Sequence, residues 1–384
     1  MSASPAVTIE PQDLLTLARE AGVSRTILGE RFARLIGEPP MRYCGRWRLR
    51  QAAIMLRDCE RKAGDVAYAV GFGSEEAFSR AFTRHFGQAP GAWRRVARAS
   101  QQADALPRQQ VRTCTARDGT RLAWSAVGAG FPLVKTANWL NHLEFDWQSP
   151  VWRHWLRELT RQNRLIRYDE RGNGLSDWNA ADLSFDSLVD DLETVIDEAG
   201  LDRFDLLALS QGAAVAIAYS LRHPGRIRKM VLLGGYARGW GIRLHGEDLA
   251  RREAMVTLTR TGWGSDIPAF RQMFTSLYIP GGTPEQLGWW NELQKVSTTP
   301  DNAVRLQRVL ATIDVTGLLG QVTVPTLVAH ARKDQVIGFD AGVELAAGIP
   351  GAQFLELDSS NHVLLEDEPA WTRFLTTMRR FLRH

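Results

Sequence analysis

The stretch that most constrains the fold is residues 204–224, where an apolar run ends abruptly at Ser210 and an alanine-rich helical pattern follows. The five residues from Ala208 to Gly212 read small-x-Ser-x-Gly, which is the pattern of a nucleophile elbow. In this sharp strand-to-helix turn, only small residues fit two positions before and two positions after the serine. The serine also stands at a helix N-terminus, where free N–H groups favour developing negative charge. The sequence therefore predicts that Ser210 projects above a sheet as a nucleophile.

Two other residues follow predicted strands in the way that a hydrolytic serine requires. A serine hydroxyl attacks a carbonyl carbon only when an imidazole removes its proton and a carboxylate orients that imidazole. Asp334 comes directly after an apolar strand at 326–330, and His362 follows another strand at 354–357. Because the order Ser, Asp, His suits this sheet topology, we predict Ser210, Asp334 and His362 as catalytic residues at one edge of the sheet.

The same segment offers alternatives for two of these roles. Asp340 and Asp358 are alternative acids, but neither lies in the loop after its preceding strand in the way that Asp334 does. His330 ends a strand, where a buried and hydrogen-bonded histidine is the expectation.

From residue 111 onward, strands and helices alternate, which predicts an α/β fold with a mostly parallel, doubly wound sheet. The predicted strands are 111–115, 120–125, 132–137, 165–168, the run ending at Ser210, 230–233, 326–330 and 354–357. The predicted helices are 151–162, 185–199, 211–223 and 368–383. Residues of about 236–312 are helical and tryptophan-rich in pattern, and we interpret them as a helical cap. Its Trp240, Trp263 and Phe274 are predicted to line a substrate pocket.

Residues 111–384 resemble the α/β-hydrolase superfamily, on the elbow, on the Ser, Asp, His order and on the loop Tyr168-Asp-Glu-Arg-Gly-Asn-Gly-Leu-Ser-Asp177. The resemblance implies that Asp169 and Arg171 brace the site from behind. It also implies an oxyanion hole made from the backbone N–H groups of Gln211 and Trp139. Where the family usually has His-Gly, this chain has Ala137-Asn138, and Asn138 and His142 are expected to line the pocket.

Residues 11–97 read as short helices in which one pattern occurs twice. Ala18–Ser24 has small residues, Gly22 in a turn and Ser24 as a helix cap, which is a helix-turn-helix signature. A long helix is predicted over 41–58. The second turn is Ala67–Ser74, and Glu75–Phe86 forms the second candidate recognition helix.

Two such units joined by a long helix resemble the DNA-binding half of AraC-type transcription regulators. Matching stretches include Gly22-Val-Ser24, Gly37-Glu-Pro-Pro40, Val70-Gly-Phe72 and Phe78-Ser-Arg-Ala-Phe82. The resemblance implies double-stranded DNA as a partner, read by exposed polar side chains on the second helix of each unit. The residues we predict to contact DNA are Arg25, Thr26, Glu30, Arg34, Glu75, Glu76, Ser79, Arg80, Thr83 and Arg84. The alternative is a helical interaction module without a role in DNA binding.

Charge separates the two parts of the chain. Residues 1–110 hold 17 Lys/Arg against 11 Asp/Glu, whereas residues 111–384 hold 30 against 32. A polyanion partner is therefore expected for the first part alone. The predicted domains are 1–99 for the helix-turn-helix units, 100–110 for a polar linker and 111–384 for the hydrolase part.

Three cysteines are too few and too scattered for a disulfide framework or a zinc site, so reduced thiols, a cytoplasmic protein and no metal are expected. The N-terminus lacks the pattern of a signal peptide, and no apolar run reaches the length of a membrane span.

Two functions compete for the second part of the chain. In the first, it is a cofactor-free hydrolase of a small apolar ester, lactone or amide. In the second, it is a sensor that binds a small apolar ligand and controls DNA binding with little or no turnover. Cofactor-free haloperoxidases and carbon–carbon hydrolases would use the same three residues, whereas a serine at the elbow argues against dehalogenases and epoxide hydrolases. The sequence does not decide whether the protein forms a homodimer, because one chain already carries two candidate recognition helices.

Overall fold

In a computed structural model, the chain divides into two units, Met1–Ala105 and Leu106–His384, and the first of them is helical. The structure describes residues 19, 23–36, 39–58, 61–95, 107–264 and 268–383. The helices of the first unit are α1 (Arg25–Ile36), α2 (Pro40–Asp58), α3 (Ala63–Ala69) and α4 (Glu75–Phe86). Residues 90–95 are also helical.

The caps of these helices follow from the sequence. Ser24 Oγ accepts a hydrogen bond from the Ile27 amide at 3.2 Å, so the predicted cap of α1 is confirmed. Ser74 Oγ accepts one from the Ala77 amide at 3.1 Å at the start of α4. Gly87 ends α4 in the left-handed region, with φ 73°, which glycine adopts at little cost. A serine cap therefore begins both candidate recognition helices, α1 and α4.

Some predicted features lie outside the described residues. They are the helix expected before Gly22, most of the linker at 100–110, Cys59, and the side chains of Arg34 and Cys44. The boundaries 1–99, 100–110 and 111–384 stay predictions.

An eight-stranded sheet runs through the second unit. Its strands are β1 (Val111–Thr115), β2 (Arg121–Val127), β3 (Phe131–Lys135), β4 (Asn163–Tyr168), β5 (Phe204–Leu209), β6 (Ile227–Leu233), β7 (Thr326–Ala331) and β8 (Gln353–Leu357). The order across the sheet is β1-β2-β4-β3-β5-β6-β7-β8. Strand β2 is antiparallel to both of its neighbours, and the other pairs are parallel. The predicted mostly parallel sheet is thus confirmed.

Helices connect these strands and fill a long insertion between β6 and β7. Outside the insertion they are α5 (Leu143–Trp147), α6 (Arg153–Thr160), α7 (Phe185–Glu198), α8 (Gly212–Arg222), α15 (Phe339–Gly348) and α16 (Pro369–Arg383). Within it they are α9 (Trp240–Arg243), α10 (Gly246–Gly262), α11 (Pro268–Tyr278), α12 (Pro284–Ser297), α13 (Pro300–Thr312) and α14 (Thr316–Leu319). Helices α9 to α13 occupy the segment that we interpreted as the cap. No helix in the described ranges combines the length and the apolar character needed to cross a membrane.

The strand and helix on either side of Ser210 lie at the centre of the unit. All six residues of β5 are buried, and so are the first nine residues of α8. This burial accounts for the alanine-rich sequence, because small side chains let a fully enclosed helix approach the sheet closely. The turn between them is therefore held by packing on every side, which fixes the position of Ser210.

The loop after β4 is braced by buried charge. The Arg171 guanidinium, whose side chain is 1% exposed, donates to both carboxylate oxygens of Asp191 on α7, at 2.8 and 2.6 Å. It also donates to Asp118 at 2.7 Å. Asp169 accepts from Asn141 Nδ2 at 2.7 Å and from the Leu175 amide at 2.8 Å. These bonds hold the loop against the sheet from behind.

Arg171→Met should destabilise the hydrolase unit strongly. The change leaves the Asp191 carboxylate buried without its partner, and breaking a buried pair in this way typically costs about 3–5 kcal/mol. Urea unfolding followed by tryptophan fluorescence measures the effect. Arg121→Met, at an exposed arginine paired with Asp177, is the matched control and should cost far less. Equal losses in the two variants would contradict a bracing role for Arg171.

Candidate active site

Ser210 lies on a strained turn at the carboxyl end of β5. Among the residues that the structure describes, it is the one non-glycine residue with a positive φ, 54°. Its amide donates to Leu233 O at 3.1 Å, which ties the turn to the end of β6. A Cβ at Gly212 would overlap Thr136 Oγ1 and lie 3.0 Å from Ala137 O, so glycine is required there. The turn therefore has the close approach and the strain of a nucleophile elbow.

His362 and Asp334 are directly hydrogen-bonded. His362 Nδ1 and Asp334 Oδ2 are 2.6 Å apart, and both side chains are buried. Asp334 Oδ1 accepts from the amides of Val336 at 2.8 Å and Ile337 at 3.0 Å. Burial opposes the charge on Asp334, but His362 and the Ile337 amide together hold its pKa below the usual value. The carboxylate is therefore ionised at neutral pH and able to orient the imidazole.

The alternative acids do not contact His362 in the structure. Asp340 is exposed in the first turn of α15, and Asp358 is exposed with its Oδ1 3.5 Å from Lys333 Nζ. His330 is completely buried, and its Nε2 lies 2.9 Å from Ile337 O, as expected for a structural histidine.

Two glycines after β6 lie between the serine turn and the His–Asp pair. A Cβ at Gly234 would lie 3.2 Å from His362 Cε1 and 3.6 Å from Asp334 Oδ2. A Cβ at Gly235 would lie 3.5 Å from Ser210 O. Since one dipeptide contacts all three segments, Ser210, Asp334 and His362 gather at one rim of the sheet.

A narrow cavity lies over Ser210, and a wider groove adjoins it. The cavity has a volume of about 20 Å³ and is lined by Trp139, Ser210, Tyr236, Trp240, Arg243, Arg252, Tyr278, Gln307, Leu310, Val336 and Ile337. The groove has a volume of about 640 Å³ and shares Arg243, Arg252 and Val336 with the cavity. The cavity has room for little more than one water molecule, so a larger ligand does not fit over Ser210 in the conformation described.

The structure divides the residues that we predicted to line the pocket. Of these, Trp240 lines the cavity, and so does Trp139, which we predicted for the oxyanion hole. Trp263 instead packs behind Trp139, with ring centroids 5.4 Å apart, and Phe274 packs on Trp263 at 5.9 Å. Trp263 and Phe274 therefore form a second layer that supports the wall.

Asn138 and His142 also lie behind the lining of the cavity. Asn138 is 2% exposed, accepts from Lys135 Nζ and donates to Leu140 O. His142 caps α5, where its Nδ1 accepts from the Phe145 amide at 3.2 Å. Both side chains are thus engaged in shaping the loop after β3.

The two amides predicted for the oxyanion hole belong to Gln211 and Trp139. Within the described part of the chain, neither amide N–H donates to a protein acceptor. Gln211 is fully buried, and its side-chain Nε2 donates to Glu170 Oε1 at 3.4 Å. The oxyanion role of these two amides stays a prediction.

The cap is fastened to the loop that carries His362. The His362 amide donates to Tyr278 O at 2.8 Å, and the Gly281 amide donates to Asn361 Oδ1 at 2.9 Å. The Tyr278 ring meets the imidazole edge-on, with centroids 5.6 Å apart.

Sequence reasoning did not find the polar side chains of the cavity wall. Tyr236, Arg243, Arg252, Tyr278 and Gln307 come from the end of β6 and from four different cap helices. Their spacing in the sequence has no period, so no local signal brings them together. Over the described residues, no cluster of His, Cys, Asp or Glu is arranged to hold a metal ion.

Comparisons with known proteins match both parts of the chain. A model of the α/β hydrolase fold matches residues 147–369, and a helix-turn-helix domain model matches residues 17–96. The AB hydrolase superfamily protein YisY of Bacillus subtilis is 28% identical over 253 residues, which are 63% of this chain and 88% of YisY.

A putative AraC-like transcription regulator of Streptomyces lividans is 43% identical over 79 residues, which are 21% of this chain and 26% of that protein. The solved structure of the esterase EaEST from Exiguobacterium antarcticum superposes with a TM-score of 0.61 at 24% identity. That match covers 72% of this chain and all of the esterase, and it supports the fold alone.

Proposed function

Since the chain belongs to the α/β-hydrolase superfamily and carries an AraC-type helix-turn-helix domain, we propose that it is a DNA-binding regulator that hydrolyses an ester, lactone or amide. The hydrolysis would take place at Ser210. The observation that carries the proposal is the buried 2.6 Å hydrogen bond between His362 Nδ1 and Asp334 Oδ2, beside a strained serine turn. Because a DNA-binding regulator must be in the same compartment as its DNA, we propose that the protein is cytoplasmic.

The proposed reaction has two halves. Ser210 Oγ attacks the carbonyl carbon while His362 Nε2 takes its proton, and Asp334 holds the imidazole in the required tautomer and stabilises its positive charge. The Gln211 and Trp139 amides donate to the oxyanion. His362 then gives the proton to the leaving group, and the acyl-enzyme is released by a water molecule that His362 activates.

A sensor without turnover is the second candidate, and two observations favour it. Ala137-Asn138 replaces the His-Gly of the family before the oxyanion residue, and the cavity of about 20 Å³ is closed by the cap. In this version a bound ligand keeps the cap in one position and so changes how the first unit engages DNA.

Covalent labelling distinguishes the two candidates. A fluorophosphonate probe phosphonylates only a serine that a neighbouring base activates. We expect one equivalent of label per chain, mapped by peptide mass spectrometry to Ser210, together with hydrolysis of p-nitrophenyl butyrate. An unlabelled wild-type protein that nevertheless binds ligands would exclude the hydrolase and leave the sensor.

The helix-turn-helix residues are proposed to contact a DNA duplex. Arg25, Thr26 and Glu30 are exposed at the start of α1, whereas the side chain of Arg34 is not described. On α4, Ser79 is half-buried, and Glu75, Glu76, Arg80, Thr83 and Arg84 are exposed. The exposed residues are free to reach phosphates or base edges in the major groove.

The affinity for operator DNA should fall steeply as salt rises. Each phosphate contact releases counterions, so losing one contact reduces the slope of log K against log salt by roughly 0.9. We expect this reduction for Arg80→Ala and Arg84→Ala in fluorescence-anisotropy titrations. Arg203→Ala, which removes an exposed charge from the second unit, is the control and should keep the slope. A salt-independent affinity of the wild type would contradict DNA binding through phosphates.

A further inference from the structure

We propose that the site at Ser210 selects a substrate that carries a carboxylate, and that Arg243 and Arg252 of the cap bind this anion. The inference rests on the proposed hydrolytic function and departs from the apolar substrate that the sequence predicts. It names the class of substrate: an ester or lactone with a second, anionic group within reach of these guanidinium groups.

The two arginines lie where the narrow cavity meets the wider groove. Arg243 ends α9, and Arg252 lies one turn or more into α10. Both line the cavity with Ser210, and both line the groove. A substrate whose carbonyl lies over Ser210 therefore places a group a few bonds away between them.

These arginines differ from the other arginines of the groove in having no carboxylate partner. Arg238 pairs with Glu344 at 2.7 Å, and Arg251 pairs with Glu247 at 3.0 Å. Among the described residues, no carboxylate lies within ion-pair distance of Arg243 or Arg252.

The other carboxylates of the groove are paired with residues other than Arg243 and Arg252 or are exposed to solvent. Asp334 is hydrogen-bonded to His362, Asp248 lies 3.5 Å from Arg251, and Asp340 is exposed to solvent. Within the described ranges, Asp334 and Glu344 act on Arg243 only at longer range, and neither arginine has a carboxylate in direct contact.

Both guanidinium groups also have hydrogen-bonding capacity to spare. Arg243 Nη1 and Arg252 Nε are buried without a partner. The remaining contacts of Arg243 are weak: its Nη2 lies 3.5 Å from Val336 O, and its guanidinium lies 5.4 Å from the centre of the Tyr236 ring. Burial lowers the pKa of Arg243, with the neighbouring charge of Arg252 acting in the same direction.

An anion bound between the two arginines would supply the negative charge that they lack. Two half-buried cations that line one site are unfavourable without a counterion. A carboxylate accepts charge-assisted hydrogen bonds from both guanidinium groups, which are the strongest hydrogen bonds available to it. Because the anion is a spectator, the ester bond still breaks as proposed: water is consumed, and an alcohol and an acid are released.

The test compares two esters that differ in one charge. Wild-type protein is assayed with p-nitrophenyl butyrate, which is neutral, and with mono-p-nitrophenyl glutarate, which carries a carboxylate. 4-Butyryloxybenzoate places the carboxylate on the leaving group instead. We expect kcat/KM to favour one of the two anionic esters over the butyrate ester by about tenfold or more. A preference for the neutral ester over both anionic esters would overturn the proposal.

Substitutions then assign the preference. Arg243→Gln and Arg252→Gln should each lower the ratio of kcat/KM for the anionic ester to kcat/KM for the neutral ester about tenfold, mainly by raising KM for the anionic ester. Arg243→Lys and Arg252→Lys keep the positive charge and should retain part of the wild-type ratio. Arg260→Gln, at an exposed arginine two turns further along α10, is the matched control and should keep the wild-type ratio. An unchanged ratio in both Gln variants that unfold at the wild-type temperature would overturn the assignment.

Binding separates this inference from the hydrolytic function. In Ser210→Ala protein, calorimetry with glutarate and with neutral dimethyl glutarate measures recognition without turnover. Binding of glutarate that Arg252→Gln removes would support the anion site even if fluorophosphonate labelling failed. Equal affinity for the two compounds in an enzyme that is labelled would overturn the anion site and leave the hydrolase.

Discussion

Ser210→Ala is expected to abolish fluorophosphonate labelling and to lower kcat for p-nitrophenyl esters by about 10⁶-fold, the loss typical of removing the nucleophile of a triad. The reason is that the alanine removes the hydroxyl that forms the acyl-enzyme in the proposed reaction. The measurement is ester hydrolysis at saturating substrate, with the intact mass of the protein recorded after labelling.

Ser220→Ala is the matched control for this change. Ser220 lies on the same helix, α8, and its hydroxyl donates only to Ile217 O within that helix. We expect its activity and labelling to match the wild type. If Ser210→Ala kept substantial turnover, the nucleophile would lie elsewhere and the proposed reaction would be wrong.

Asp334→Asn should lower kcat by about 10⁴-fold while leaving the fold intact. An amide can replace the carboxylate in shape, but it donates where the carboxylate accepts, so it favours the wrong tautomer of His362. Because its partners hold the pKa of Asp334 below the usual value, the carboxylate is ionised throughout the neutral range. The asparagine of the variant does not ionise, so no pH between 6 and about 9 restores the carboxylate, and kcat should stay far below that of the wild type across this range.

Two nearby aspartates serve as controls for Asp334. Asp340→Asn and Asp358→Asn remove the same charge from exposed positions, and we expect both to keep wild-type kcat. A large loss in either of them, with little loss in Asp334→Asn, would reassign the acid.

The sequence was most informative where local rules and global packing agree. The elbow requires a small residue at 212, and the structure explains this through the close approach of Thr136 and Ala137. The strands were recognisable because buried parallel strands are continuous apolar runs bounded by turns. The helix-turn-helix pattern was recognisable because a glycine followed by a serine cap occurs twice, as Gly22 with Ser24 and Gly71 with Ser74.

Other features could not be found from the sequence, for physical reasons. Helix α15 contains two glycines and is amphipathic only weakly, so its pattern does not stand out. The order of β3 and β4 in the sheet depends on crossovers, which leave no local mark. Asn138 and His142 are polar residues near the predicted oxyanion loop, yet their side chains turn to cap and brace that loop.

The charge of the pocket was missed for a related reason. The aromatic residues of the cap predicted an apolar wall, and Trp240 does line the cavity. Arg243 and Arg252 come from separate helices, and a sequence cannot tell a buried arginine from a solvated one. Only the absence of a carboxylate partner, which is a property of three-dimensional neighbours in the described chain, sets them apart.

Two hydrogen bonds join the cap to the loop of His362. The His362 amide donates to Tyr278 O, and the Gly281 amide donates to Asn361 Oδ1. Asp334 holds the imidazole of His362, and the cap holds its backbone amide, so we expect any movement of the cap away from this loop to release one of the two contacts. In the proposed reaction, we expect efficient proton transfer only with the cap in the position described here, where it excludes bulk water. We therefore expect the loop that carries His362 to differ in rigidity between the ligand-bound and the ligand-free protein.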